Sequence, residues 1–229
     1  MKIGIDMGHT LTGAGTGAIG IVKETDKNRE VGNRLISMLR EKGHTVINCT
    51  VDKSNNDLKD RVNLANKQNL DLFLSIHLNS FSSATANGVE TFSYAKSGKG
   101  HDYAVKIQNE LVKATGWHNR GKKEANFYVL KNTNASAVLV ELGFVTSKKD
   151  MDLWNTEKIA KALFKAVIGN DYIKTNSGTQ APSMNSSNIY RIYADSVQQG
   201  TAYANIDNIL KQVEVALKSN AAIIEIKRK

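Results

Sequence analysis

Cysteine is nearly absent from this sequence: Cys49 is the only one among 229 residues, so no intrachain disulfide framework can exist. Cys49 continues the apolar alternation of a strand, which reads as a small core hydrophobe rather than a nucleophile. Proline occurs once, at Pro182. No apolar run approaches the roughly 18 residues needed to cross a bilayer, so membrane insertion is not expected. Met1 to Asp6 lack the cationic lead, long apolar stretch and small-residue cleavage site of a secretory leader, which implies synthesis in the cytoplasm. The Gly-rich stretch TLTGAGTGAIG lacks both GxGxxG spacing and a terminal GK[ST], so a nucleotide site is rejected. Neither a GxSxG elbow nor a cysteine paired with a histidine is present, which removes support for covalent acyl transfer.

What is present is an excess of positive charge. Lys and Arg number 31 against 22 Asp and Glu, a net charge of +9. The basic residues are spread out, without Arg-rich clusters or an aromatic ribonucleoprotein pattern. That argues against nucleic acid and for a polyanionic surface whose attraction weakens with salt. With 41% apolar and 23% charged residues, the chain is long enough for one full core and a small appendage.

From Met1 to about Lys174, short β-rich apolar runs alternate with helical patterns, the mark of an α/β layer fold. Strands are predicted at Lys2–Asp6, Thr45–Cys49, Asp71–Ile76, Val89–Tyr94, Phe127–Leu130 and Ala137–Val140. A first helix carries Val31, Leu35, Met38 and Leu39 at helical spacing and stops at Gly43. Further helices are predicted near Asp57–Gln68, Gly100–Ala114 and Thr156–Ile168. Residues 175–188, TNSGTQAPSMNSSN, carry no charge and read as a linker. Beyond it, over 189–229, IYRIYA, a helix presenting Ile206, Ile209, Leu210, Val213 and Leu217, and AAIIEIK form one βαβ unit. About forty residues rarely bury enough surface to fold alone, so this unit is expected to dock or to pair with its copy in a homodimer.

Three polar groups recur at the ends of strands. His9 follows KIGID across Met7 and Gly8, His77 ends DLFLSIH, and Glu141 ends AVLVE. In open α/β sheets ligands bind beyond the carboxyl ends of the strands, so the three can converge on one crevice. A histidine ending a strand can instead simply donate to a carbonyl. A glutamate directly after Ala-Val-Leu-Val needs a partner, because an unpaired carboxylate beside a core costs several kcal/mol. Glu24, in IVKETDKN, is either favourable charge at a helix start or a third ligand. Two imidazoles and one carboxylate form a usual catalytic zinc set, and Glu141 would then serve as the proton-transferring carboxylate. His44, His101 and His118 read as structural or solvated.

The blocks IDMGHT, ETDKNREVGNRL, LKDRVNLANKQNLDLFLSIHLNS, GVETFSY and ANFYVLKNTNASAVLVELGFVTSKKD, in this order, resemble the zinc N-acetylmuramoyl-L-alanine amidases of the amidase-3 family, across almost all of residues 1–170. The resemblance implies a mostly parallel sheet of roughly six strands flanked by helices. It also implies that His9, Glu24 and His77 bind Zn2+ and that Glu141 is the catalytic carboxylate. Asp6 would orient a ligand, with Arg61 and Asn79 near the site or the substrate. The implied partner is bacterial peptidoglycan, reached after release through a membrane lesion or lysis, as by a phage endolysin or a sporulation mother-cell-lysis amidase. A zinc peptidase of the stem peptide and an idle wall-binding module are the alternatives. The last forty residues resemble half of a sporulation-related repeat, which implies wall targeting or dimerisation.

Overall fold

The computed structural model describes residues 1–83 and 85–173, together with the backbone of strands at 190–194, 197–203 and 224–228. The chain divides into two compact units, Met1–Tyr172 and Ile173–Lys229. The first unit begins with β1 (Lys2–Met7), β2 (Thr12–Gly13), α1 (Glu24–Glu41), β3 (Thr45–Asn48), β4 (Lys53–Ser54), α2 (Asp57–Asn66) and β5 (Leu72–Asn79). It continues with β6 (Val89–Ser93), α3 (Lys99–Thr115), β7 (Asn119–Glu124), α4 (Tyr128–Asn132), β8 (Ser136–Phe144), α5 (Lys148–Asp152) and α6 (Thr156–Ile168).

Six of these strands form one sheet in the order β3-β1-β5-β8-β6-β7. β3, β1, β5 and β8 are mutually parallel; β6 runs antiparallel to β8, and β7 parallel to β6. The α/β class and the six-stranded, mostly parallel sheet thus match expectation. The central strands read as continuous apolar runs because both faces are covered. On one face, Val31, Leu35, Met38 and Leu39 of α1 join Ile107 and Leu111 of α3 and Leu163 and Phe164 of α6 over Ile3, Ile5, Leu72 and Leu74. On the other, Val62 and Ala65 of α2 and Val129 and Leu130 of α4 pack with Phe73 and Leu139.

Two details correct the sequence reading. Phe127–Leu130 is not a strand: Phe127 precedes α4, with Phe127 and Tyr128 each 42% exposed while Val129 and Leu130 point into the core. Four consecutive apolar residues do not separate a strand from a helical turn by periodicity alone. The sixth strand is instead β7, whose sequence NRGKKE lacks apolar alternation because it lies on the sheet edge, where charge discourages further pairing.

In the second unit, β9 (Tyr190–Ala194), β10 (Val197–Tyr203) and β11 (Ile224–Arg228) form a three-stranded sheet ordered β10-β9-β11. β9 falls within the first expected strand and β11 overlaps the second, ending one residue beyond it at Arg228, but they pair antiparallel, unlike the parallel pair of a lone βαβ unit. β10, VQQGTAY, was not anticipated from its polar composition; only two residues separate it from β9, which makes antiparallel hairpin pairing the available one. The linker at 175–188 and the helix expected to carry Ile206–Leu217 lie outside the described residues.

Candidate metal centre and active site

β1, β5 and β8 are adjacent and parallel, so their carboxyl ends deliver His9, His77 and Glu141 to one edge of the sheet. His9 has φ +66°, and among the described residues it is the only non-glycine with positive φ. That left-handed turn is uncommon outside glycine, and strained backbone of this kind gathers at functional sites. It brings His9 Nε2 to 3.1 Å from Oε1 of Glu24, the first residue of α1. The same oxygen lies 3.1 Å from His77 Nδ1 and accepts the Leu78 amide at 3.0 Å, while Oε2 accepts the Ala18 amide at 3.0 Å. One candidate ligand atom from each of His9, Glu24 and His77 falls within 4.8 Å of the others.

The orientation of the His9 ring suits a cation. His9 Nδ1 bonds the Gly15 carbonyl at 2.9 Å, which leaves Nε2 to face Glu24. A ring nitrogen committed to a carbonyl while the other is offered inward is how metal-binding imidazoles are usually fixed. Burial pushes the Glu24 carboxyl up, but the hydrogen bonds and charges of His77 and His9 outweigh it and hold it far below the carboxylate range. Burial likewise disfavours charged His9, yet Glu24 and the Gly15 carbonyl overcome it and raise the imidazole above its ordinary value. A permanently ionised carboxylate between two imidazoles is a donor set that fits zinc.

Glu141 stands beside His77 in the β5–β8 register and opposite Glu90 in the β8–β6 register. Its Oε2 is buried and has no hydrogen-bond partner among the described residues. Burial first, then the charges of Glu24 and Glu90, push its carboxyl well above the usual range. An orphaned carboxylate oxygen of this kind is explained by a missing polar partner, and a perturbed carboxyl in a cleft marks a functional candidate. His9, His77, Glu141, Asp6 and Arg61 line a cavity of about 270 Å³, walled on its apolar side by Phe127 and Tyr128. A larger hollow of about 630 Å³ lies at the amino ends of the strands, around Met1, Asp71 and Ser136, and holds none of these groups.

The remaining expected residues take other places. Asp6 accepts from Arg61 Nη1 at 3.2 Å and from Ser75 Oγ at 2.7 Å, and no bond from it to either imidazole is found among the described residues. The group bonded to a ring nitrogen of His9 is the Gly15 carbonyl. Arg61 and Asp6 are 1% and 0% exposed, and Asp57 Oδ2 lies 3.3 Å from Arg61 Nη2, so they form a buried ion pair whose disruption leaves an uncompensated charge. Asn79 Nδ2 donates to Glu90, the residue opposite Glu141 in the β8–β6 register. Among the described residues His44, His101 and His118 join no metal-holding group. Arg29 was missed: its guanidinium donates to the Gly8 and His9 carbonyls at 3.3 and 2.9 Å, and nothing in its sequence context signals a role exerted through backbone oxygens.

Fold and site together define an α/β layer protein with a candidate metal centre of two histidines and one carboxylate and an orphan carboxylate beside it. Residues 3–169 match the family described as N-acetylmuramoyl-L-alanine amidase, and the chain belongs to that family, whose members are zinc-dependent hydrolases of peptidoglycan. It is 37% identical to the uncharacterized protein CPE1502 of Clostridium perfringens, over 73% of this chain and 51% of that protein. The chain therefore spans about half the length of that relative. It is 27% identical to the sporulation-specific N-acetylmuramoyl-L-alanine amidase of Bacillus subtilis, over 93% of this chain and 81% of that one. Among solved structures, the catalytic domain of the CD27L endolysin targeting Clostridia Difficile superimposes with a TM-score of 0.68 at 30% identity, covering 75% of this chain and 98% of that domain.

Proposed function

We propose that this chain hydrolyses the amide bond between N-acetylmuramic acid and L-alanine in peptidoglycan, with His9 Nε2, Glu24 and His77 Nδ1 as zinc ligands and Glu141 as the proton-transferring carboxylate. The observation that carries the reading is the unpartnered, buried Glu141 Oε2 beside the cluster of His9, Glu24 and His77. Held by His9, Glu24 and His77, zinc would supply the Lewis acidity to polarise the scissile carbonyl and acidify water. Glu141 takes the proton from the attacking water and delivers it to the departing L-alanine amine. Burial and the charges of Glu24 and Glu90 raise its proton affinity, in the direction that helps a carboxyl hold the proton between acceptance and delivery. The Gly15 carbonyl keeps His9 in the tautomer that offers Nε2, and Phe127 and Tyr128 offer an apolar wall to the substrate.

Digestion of purified peptidoglycan by wild type, chelated protein and Glu141→Gln, with mass spectrometry of the new amino termini, tests this. Free L-alanine termini are expected from the metallated wild type alone. Termini within the stem peptide point to a peptidase, and wall binding without cleavage points to an idle binding module.

The setting proposed is that of an endolysin acting after membrane lesion, supported by the similarity to the CD27L catalytic domain. A sporulation lysis role is the second reading, favoured by the likeness to the sporulation-specific amidase over 93% of this chain. Expression on prophage induction or during sporulation separates them. The second unit is proposed to bind wall or to pair two copies, since β10 and β11 are the outer strands of its three-stranded sheet among the described residues. Wall sedimentation and ultracentrifugation of the chain ending at residue 174 test that role.

A further inference from the structure

Glu90 stands directly opposite Glu141 across the antiparallel β6–β8 pair, so both side chains leave the same face of the sheet. Glu90 is 4% exposed. Its carboxylate receives Asn79 Nδ2 on Oε1, and Arg120 Nε at 3.1 Å and Lys123 Nζ on Oε2. Residues three apart on a regular strand point to opposite faces. Here the β6–β7 register shifts between Val89 and Thr91, with Arg120 and Gly121 together opposing Glu90, and Gly121 adopts φ +84°. The inserted residue changes the parity, and Arg120 and Lys123 both reach Glu90. A bulge that re-aims side chains in this way is common beside active sites.

Glu90 neutralises one of these two cations, and counted with Glu141 opposite it the carboxylates match the cations, so what remains available to a ligand is the exposed donor edge of each cation. Both are partly open: the side chains of Arg120 and Lys123 are 31% and 43% exposed. Arg120 is held in place by Glu90, by the Asn87 carbonyl at 3.4 Å from Nη1, and by the Phe144 ring, 4.9 Å from the guanidinium carbon. Its Nη2 makes no bond among the described residues. A pinned guanidinium with a free donor edge, beside a second cation, is suited to receiving a carboxylate.

Position selects which carboxylate. At about 4.8 Å between strands, β7 lies about 10 Å from β8 and its Glu141. Two residues of extended peptide span about 7 Å, and the long Arg and Lys side chains reach back over the difference. We propose that Arg120 and Lys123 form a subsite for a free carboxylate on the stem-peptide residue that follows L-alanine, so that the chain favours walls in which this group is free over walls in which it is amidated. The subsite rests on the amidase reading and deepens it.

The test uses the full zinc-loaded chain and two soluble muropeptides that differ only in a free or amidated α-carboxyl on the D-glutamate after L-alanine. Wild type is expected to turn over the acid with a kcat/KM at least about tenfold above the amide, the size of one charge-assisted hydrogen bond. Arg120→Gln and Lys123→Gln are expected to bring that ratio toward one, mainly by raising KM for the acid. Lys148→Ala, which removes the same charge from a side chain 80% exposed elsewhere, is expected to leave the ratio unchanged. Equal turnover of acid and amide by wild type overturns the subsite. So does an equal slowing of both substrates by the Arg120 and Lys123 variants, which marks a structural role; thermal melting identifies any variant that fails to fold. Wild type that holds zinc and cleaves neither muropeptide nor polymeric wall overturns the amidase reading itself.

Discussion

Gly8 leaves the space that the His77 ring fills: a Cβ at residue 8 would lie 2.2 Å from His77 Cε1 and 2.3 Å from Nε2. Its φ is not in the left-handed region, so alanine can adopt this backbone and the conflict is confined to the imidazole. Gly8→Ala is therefore expected to fold while displacing one member of the candidate metal set. Zinc affinity should fall by about tenfold or more, the usual effect of disturbing a group that orients a ligand. Competition with a chromophoric chelator measures it, with far-UV circular dichroism as the control. Wild-type affinity in Gly8→Ala would remove His77 from the metal set.

The acid limb of stability should depend on Glu90. Burial pushes its carboxyl up, but the hydrogen bonds and charges of Lys123 and Arg120 outweigh that and hold it below the ordinary value of 4.5. A carboxyl lowered by folding contributes stability that is fully present above its unfolded value and is lost as pH falls through the folded one. Urea unfolding stepped downward from pH 6 should show wild type losing stability below about pH 4.5, the ordinary carboxyl value. Glu90→Gln should lose less over that interval and be less stable than wild type above it. Parallel pH profiles for the two proteins would contradict the assignment.

The parts legible in the sequence share a physical reason. LFLSIH and AVLVE are apolar because β5 and β8 are covered on both faces, so a polar residue at the end of either run stands out. That contrast makes His77 and Glu141 visible, and the strand before His9 does the same for it. β7 was invisible because an edge strand need not alternate, and FYVL misled because apolar residues at a helical turn and in a short strand look alike. Glu24 was only half legible, since an acidic residue at a helix start has an adequate role without a metal. Gly15 was illegible because it acts through its carbonyl, and Arg120 because a bulge changed the face that its spacing implied.

Arg29 shows how a residue outside the candidate ligand set can govern it. Its Nη2 donates to the His9 carbonyl at 2.9 Å, its Nη1 to the Gly8 and Thr25 carbonyls at 3.3 and 3.2 Å, and its Nε to Asp52 at 3.2 Å. The fork thus fastens the backbone on both sides of the peptide leading into His9, whose φ of +66° is otherwise unfavourable for a side-chain-bearing residue. Arg29→Ala should release that turn and lower zinc affinity by about tenfold to a hundredfold. It should also destabilise the fold by about 2 kcal/mol, in the range for charged hydrogen bonds that are largely shielded from water. Arg29→Lys keeps the charge but not the planar fork, so stability should recover more than zinc affinity does. Asp52→Asn supplies the contrast: Asp52 is 61% exposed, and an exposed ion pair contributes about 1 kcal/mol or less. If Asp52→Asn weakens zinc binding as much as Arg29→Ala, the ion pair rather than the carbonyl contacts holds His9 in its turn.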